Sequence, residues 1–363
     1  MARQLQSDKI LFGAVVGLVL FGALMVFSAS AVMAADRYND GNYFLFRQLA
    51  WAVVGLIAVA ILMHTDYRRL ASPMVVFPAL ALEFILLIIV LFVHPTNNSH
   101  RWLHLGVASF QPSELAKIIL TLFLAFFLDL RKGQVNDWKH ALAPIVLVSG
   151  VMALLVLREP DLGTTLAMGL ILTAMLFAAG LNLRYFVYAG LAASLPLYLL
   201  IFRSTYRHNR ITAFLHPYAD PLGKGFQIIQ SYIAIGTGGI TGVGLMEGKQ
   251  KLFFLPEPQT DFIFSVVGEE LGLLGCLAIV AIFAVILVRG LRASQACKDD
   301  FGRLLAIGLT VMIVGQALVN MSVVLGLLPT KGIPLPFVSY GGSSLLVNLV
   351  AVGILLNISQ QAS

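Results

Sequence analysis

In "LPEPQTDFIFSVVGEELG", Leu255 to Gly272, the carboxylate of Asp261 stands at the mouth of a long apolar run, where it could cap a helix or act as a base. Upstream, "SFQPSELAK" holds Pro112, suited to a first helical turn, Glu114 at the positive end of the helix dipole, and Lys117 three residues deeper. An exposed Glu–Lys pair stabilises a helix by only about 0.3–0.5 kcal/mol, whereas a lysine in hydrocarbon costs about 2.5 kcal/mol or more. Helix stability alone therefore does not account for Lys117, and a helix N-terminus beside a lysine is a seat for phosphate. A third stretch, "LREPDLGTT", packs Arg158, Glu159 and Asp161 into four positions. Asp161 there is either the N-cap of a helix beginning near Gly163 or part of a buried polar network or ligand contact. Glu269 and Glu270 lie roughly 12–14 Å deeper than Asp261 along a helix, where they must be neutral, paired or lining a polar cavity.

The elements that position these groups are set by composition. The chain is 59% hydrophobic and 12% charged, with a mean hydropathy of +0.89, which describes a polytopic membrane protein rather than a soluble domain. Apolar runs of bilayer-spanning length recur at about 9–34, 44–63, 72–93, 112–130, 141–157, 163–180, 184–202, 262–288, 304–327 and 337–358. The expected fold is thus all-α, with ten transmembrane helices in a single domain over residues 1–363 and one long loop, 203–260, between helices 7 and 8. Continuous runs such as Ala79 to Val93 exclude the alternation of a β-barrel. The first span ends in "SASAVMAA" but exceeds a signal-peptide core, and reads as a retained anchor.

With ten spans both termini share one side. On that side Arg3, Lys9, Arg68, Arg69, Arg131, Lys132, Lys139, Arg184, Arg289, Arg292, Lys298 and Arg303 outnumber Arg37, Arg47, Arg101, Arg158 and Lys331 opposite, so the termini are expected in the cytoplasm. The pI near 9.4 then reflects orientation, and an anionic ligand outside, rather than nucleic acid. Cys276 and Cys297 predict no structural disulfide, and the scattered histidines predict no protein metal cage. The long loop is glycine-rich between Gly236 and Gly248 but fails the Walker pattern, since Val243 stands five before Gly248 and Gln250 follows Lys249. It reads as a flexible platform edged by Arg203, Arg207, Arg210, Lys224, Lys249 and Lys251, suited to pyrophosphate or sugar ligands. Asp261, Ser265, Gly268, Gly272 and Gly275 fall on one narrow helical face that leaves room for a helix or a lipid chain. Finally, "LLPTKGIPLPFVSYGGSSLL" reads as an extended helix entry followed by small polar residues.

The motifs "FQPSELAK", "REPDLGTT", "DPLGKGFQIIQSYIAIGTGGITGVGL", "LPEPQTDFIFSVVGEELG" and "GIPLPFVSYGGSS", in this order along the whole chain, resemble the SEDS family (shape, elongation, division and sporulation). "EGKQKLFFLPEPQTDF" and "PTKGIPLPFVSYGGSSLL" look more like its division members than its elongation members. The resemblance implies a peptidoglycan glycosyltransferase of the bacterial inner membrane. Such enzymes polymerise lipid II into β-1,4 glycan and release undecaprenyl pyrophosphate, beside a class B penicillin-binding protein and other divisome proteins. It implies Asp261 as the base, and matches Glu114, Lys117, Asp161 and Arg210 to the family's polar positions. Lys117 and Arg210 would contact pyrophosphate while Glu114 and Asp161 orient them or hold a cation, with Arg158 and Lys249 as further substrate contacts. No tightly bound cofactor is implied, although a divalent cation, magnesium or manganese, could bridge pyrophosphate to carboxylates. The competing functions are a lipid II flippase, an elongation-type polymerase, and a scaffold without chemistry of its own.

Overall fold

The computed structural model describes residues 8–93, 101–105, 108–202, 205–329 and 332–362, so Arg3, Arg203 and Lys331 lie outside the described residues. In chain order the helices are α1 (Lys9–Tyr38), α2 (Tyr43–Met63), α3 (Pro73–Leu91), α4 (Pro112–Leu130), α5 (Ala143–Arg158), α6 (Leu162–Ala178) and α7 (Leu183–Phe202). They continue with α8 (Thr205–Leu215), α9 (Phe226–Gly238), α10 (Ile263–Ala296), α11 (Asp300–Val324) and α12 (Gly342–Ala362). A two-stranded antiparallel ribbon, β1 (Leu103–Leu105) and β2 (Ala108–Phe110), precedes α4 with Leu103 opposite Phe110.

Helix starts follow local chemistry. Asp8 caps α1 by accepting from Leu11 N at 3.0 Å, and its other oxygen takes Arg289 Nε at 2.6 Å, fixing the start of α1 to α10. Ser72 caps α3 ahead of Pro73, and Asp299 caps α11 through Gly302 N at 2.8 Å. Seven stretches among the described residues are long and apolar enough to cross a membrane: α1, α2, α3, Trp138–Arg158, α10, α11 and α12. The 19-residue α4 carries Glu114, Lys117 and Asp129, and α6 is apolar but has only 17 residues.

α11 is the hub, packing against α4, α6, α10 and α12, while α12 also packs on α2, and α1 on α10. The outward faces of α2 and α3 expose Val53, Ile57, Ile61, Leu82, Ile85 and Ile89, the pattern of helices whose outer solvent is hydrocarbon.

The segment expected to be one flexible loop is largely folded. It contains α8 and α9, and its glycine-rich part threads down beside α10. There α10 breaks at Gly272, with φ 63° and ψ −160°, a conformation that only glycine adopts readily. Around the break Val243 N donates to Glu269 O, Gly244 N to Glu270 O, Leu273 N to Gly239 O and Leu274 N to Ile240 O, at 3.0–3.2 Å. The hydrogen bonds that α10 loses at its kink are thus supplied by the loop. The narrow small-residue face of α10 is accordingly filled by α9 and this loop: Ser265 Oγ lies 2.8 Å from Ser231 Oγ, and Gly268 abuts Ile235. Of the two occupants expected there, the helix is the one found.

Candidate active site

Two helix N-termini, α4 and α6, converge with the segment before α10 and the segment before α12 on a cavity of about 290 Å³. Its wall includes Arg101, Gln111, Glu114, Lys117, Asp161, Thr164, Glu257, Asp261, Gln316, Gly332 and Tyr340. Of the residues singled out in the sequence, the cavity brings together Asp261, Glu114, Lys117 and Asp161, which come from three separate parts of the chain.

Lys117 is 1% exposed, and its Nζ donates to Glu114 Oε2 at 3.0 Å and to Gln316 Oε1 at 2.5 Å. These contacts use two of its three donors and leave one for the cavity it lines. The i,i+3 spacing that could have been a surface pair is a buried one, neutral in sum, on the first turns of a helix whose N-cap makes no side-chain hydrogen bond. Unsatisfied main-chain N–H groups there add to the positive potential at the cavity wall.

Asp161 is both the cap and the network member that its sequence left open. Oδ1 accepts from Thr164 N at 3.0 Å; Oδ2 accepts from Thr164 Oγ1 at 2.8 Å, Gln111 Nε2 at 2.9 Å and Ser113 Oγ at 3.3 Å. The carboxylate therefore ties the start of α6 to the start of α4. Glu159, just beyond α5, is buried, and burial with Asp161 and Glu83 nearby pushes its carboxyl up to about 9.

Asp261 does not cap α10. Phe262 holds the N-cap position, without a side-chain cap. The main chain at Asp261 is gripped from across the bundle: Tyr340 N donates to Gln259 O at 2.8 Å, Ser339 Oγ to Thr260 O at 2.5 Å, and Asn320 Nδ2 to Asp261 O at 2.9 Å. A Cβ placed on Gly332 would sit 2.9 Å from Asp261 Oδ2, so glycine permits this approach. Burial pushes the carboxyl up to about 7, helped by Glu257 and Asp161 and opposed by Arg210 and Arg101. A carboxylate with a pKa near neutrality is a far better proton acceptor than an ordinary one near 4.

Three expected contacts sit elsewhere. Arg158, the last residue of α5, is exposed and does not line the cavity. Lys249 is also exposed; its backbone N–H donates to Glu269 Oε1 at 2.7 Å while its side chain faces away. The buried loop lysine is Lys251, whose Nζ meets Glu270 Oε1 at 2.6 Å, Ser28 Oγ at 2.9 Å and Met246 O at 2.9 Å. Glu270 also accepts from Met246 N, so both deep glutamates are paired and hold the loop. Arg210, half-buried on α8, lies outside the cavity wall, although its charge acts on Asp261.

The cavity adds residues that spacing did not reveal. Arg101 enters from before β1, its Nε donating to Glu159 O at 3.0 Å and its terminal nitrogen to Pro160 O. Gln316 and Asn320 carried a usable signal: two amides at i,i+4 within the apolar run of α11.

Residues 8–363 match the family model for FtsW, RodA and SpoVE, described as cell cycle proteins. The chain is 46% identical over 356 residues to the probable peptidoglycan glycosyltransferase FtsW of Geobacter sulfurreducens (strain DL-1 / KN400), covering 97% of this chain and 95% of that one. Among solved structures it superposes with a TM-score of 0.81 and 32% identity, over 98% of each chain, on a chain from work on the structural coordination of polymerization and crosslinking by a peptidoglycan synthase complex. The rod shape determining protein RodA of Thermus thermophilus follows with a TM-score of 0.72 and 28% identity, over 99% of this chain and 98% of that one. With seven span-length apolar helices among its described residues, this chain is an integral membrane protein and belongs to the FtsW/RodA/SpoVE family of cell cycle proteins.

Proposed function

We propose that this chain is a peptidoglycan glycosyltransferase that polymerises lipid II into β-1,4 glycan during cell division, with Asp261 as the base. The observation that carries the reading is the pairing of Asp261, with its carboxyl raised to about 7, against the Glu114–Lys117 pair across one cavity. The name of the Geobacter relative supports the activity, and the 46% identity to that FtsW-named protein, against 28% to RodA, favours division over elongation.

In the transfer, the 4-hydroxyl oxygen of the acceptor sugar forms a bond to the donor's anomeric carbon. The bond from that carbon to the pyrophosphate oxygen breaks, and its electron pair leaves with undecaprenyl pyrophosphate. Asp261 takes the hydroxyl proton as attack proceeds. The remaining Lys117 donor, the N-terminal turn of α4 and Arg101 supply positive potential for the departing pyrophosphate. Arg210 supports the same charge from α8, and Glu114 and Asp161 hold the lysine and the two helix starts in register. A cavity of about 290 Å³ accommodates a pyrophosphate and the reacting part of a sugar, leaving the lipid and the remaining sugar and peptide along the surface.

A divalent cation does not fit the protein donors alone. Glu114 is committed to Lys117, Asp161 is saturated by four donors, and among the described residues no three acidic, cysteine or histidine side chains group as ligands. No step is therefore routed through one.

The same reading makes the chain a single domain of ten spans, with α4, α6 and α7 completing the seven, and 203–260 as an extracytoplasmic segment. Both termini face the cytoplasm of a bacterial inner membrane, with the cavity on the outer face, where lipid II and a class B penicillin-binding protein partner reside; other divisome proteins join this assembly. Purified protein with its cognate penicillin-binding protein and lipid II tests the function. Wild type should make glycan and Asp261→Asn should not. Normal polymerisation by the variant would remove the base assignment, and lipid II crossing a vesicle bilayer without polymer would replace the enzyme by a flippase.

A further inference from the structure

The α11 hub carries Asn320 at 2% exposure, one turn beyond Gln316. Its Nδ2 donates to Asp261 O at 2.9 Å and to Ile333 O at 2.7 Å, while its own Oδ1 is buried without a partner. The amide orientation is forced, because the opposite one would set a carbonyl against two carbonyls. An amide that leaves its acceptor bare in a helix core is there for its two donors. Those donors staple the segment before α10 to the segment before α12, beside the Ser339 and Tyr340 contacts to Thr260 and Gln259. One turn away, Gln316 Nε2 donates to Pro334 O at 2.9 Å and its Oε1 holds Lys117 Nζ. One face of α11 thus fixes the main chain of Asp261 and the ammonium opposite it in a common frame.

We infer that Asn320 is a positioning residue, which sets where the Asp261 carboxylate stands relative to Lys117 by clamping the Asp261 and Ile333 carbonyls. This rests on the glycosyltransferase reading for its kinetic consequences, but not for its structural one. Without the clamp the loop relaxes outward, and the half-buried Asp261 gains exposure to water. The charged groups that face it are Glu257 from its own loop, Arg210 from α8, Arg101 from before β1 and Asp161 from the start of α6, with Glu114 and Lys117 across the cavity. None of these is altered by a change at Asn320, so a shift in Asp261 reports its position.

The test uses full-length protein with Asn320→Leu, which keeps the shape without donors, and Asn320→Ser, which keeps one donor. Infrared difference titration of the carboxyl stretch, isolated by subtracting Asp261→Asn, reads Asp261 directly without substrate. The wild-type transition should lie near pH 7, and Asn320→Leu should move it toward the ordinary carboxylate range. With lipid II and the partner, kcat should fall about 10- to 100-fold in Asn320→Leu at little change in KM, with the acidic limb of the pH profile moving down and Asn320→Ser intermediate. An unchanged Asp261 titration in Asn320→Leu overturns the inference, as does a loss confined to KM. If Asn320→Leu does not fold, Asn320→Ser carries both readouts, and an unchanged titration there overturns it equally. Absence of glycan from wild type with a shifted titration would sink the enzymatic reading alone.

Discussion

Replacing Lys251 by methionine tests whether the buried ion pair beneath the glycine-rich segment holds it. Lys251 Nζ and Glu270 Oε1 are 2.6 Å apart, with side chains 5% and 0% exposed. At that distance the attraction is about 6 kcal/mol at an effective dielectric of about 20. Desolvation of two ions costs several kcal/mol each, so the pair as a whole contributes little net stability. Removing one partner is different, because it leaves a charge stranded, typically at a cost of about 3–5 kcal/mol. Glu270 would keep Ser28 Oγ at 2.7 Å and Met246 N at 3.0 Å, so the lower end, about 3 kcal/mol, is expected for Lys251→Met. That is about two decades in the unfolding equilibrium. Adding Glu270→Gln removes the stranded charge and should recover the double variant to within about 1 kcal/mol of wild type. Equilibrium unfolding in detergent micelles, followed by tryptophan fluorescence or helical circular dichroism, gives all four corners of the cycle. If Lys251→Met lies within about 1 kcal/mol of wild type, or Glu270→Gln makes it worse, the pair does not anchor the segment as argued.

Glycan synthesis should rise with pH through a transition near 7 and level off above it, since a base raised to that value is protonated and idle below it; Asp261→Glu should shift the transition and Asp261→Asn remove the activity that defines it. Gly272→Ala should destabilise by at least about 1–3 kcal/mol from its backbone conformation alone, and by more because the added Cβ would lie 2.4 Å from Gly242 N; thermal unfolding in micelles measures it. Arg158→Ala and Lys249→Ala should each leave stability within about 0.5 kcal/mol and polymerisation near wild type, because both side chains are exposed and off the cavity wall; a ten-fold loss of rate in either would place it at the substrate.

Much of the fold was legible because lipid imposes a simple rule: runs of apolar residues long enough to span must be helices, and Pro112 and Asp161 mark where helices begin. Within the site, Glu114, Lys117, Asp161 and Asp261 were legible because ionisable groups at span ends have a cost that local stability does not offset. What the sequence concealed was depth. Between Lys249 and Lys251 only tertiary packing chooses, since two intervening bonds of loop turn one outward and the other into Glu270. The glycines from Gly236 to Gly248 looked like flexibility, yet in place they allow a backbone-to-backbone seam that no side-chain pattern encodes. Asp261 as a cap was a fair reading of one dimension; three carbonyl clamps from α11 and the segment ahead of α12, distant by some sixty to eighty positions, decide otherwise.

The seam at Gly272 also bears on how the protein can be handled. A long connection between helices invites insertion of an epitope tag, a protease site or a fluorophore, and the glycine-rich stretch looks the natural choice. Residues 239–251 are instead stitched to α10 by main-chain and carboxylate hydrogen bonds, so added chain there would pry a helix open. The turn from Tyr218 to Lys224 is exposed throughout and precedes α9 without joining the seam, which makes it the place where this molecule can carry a label and still close its own backbone.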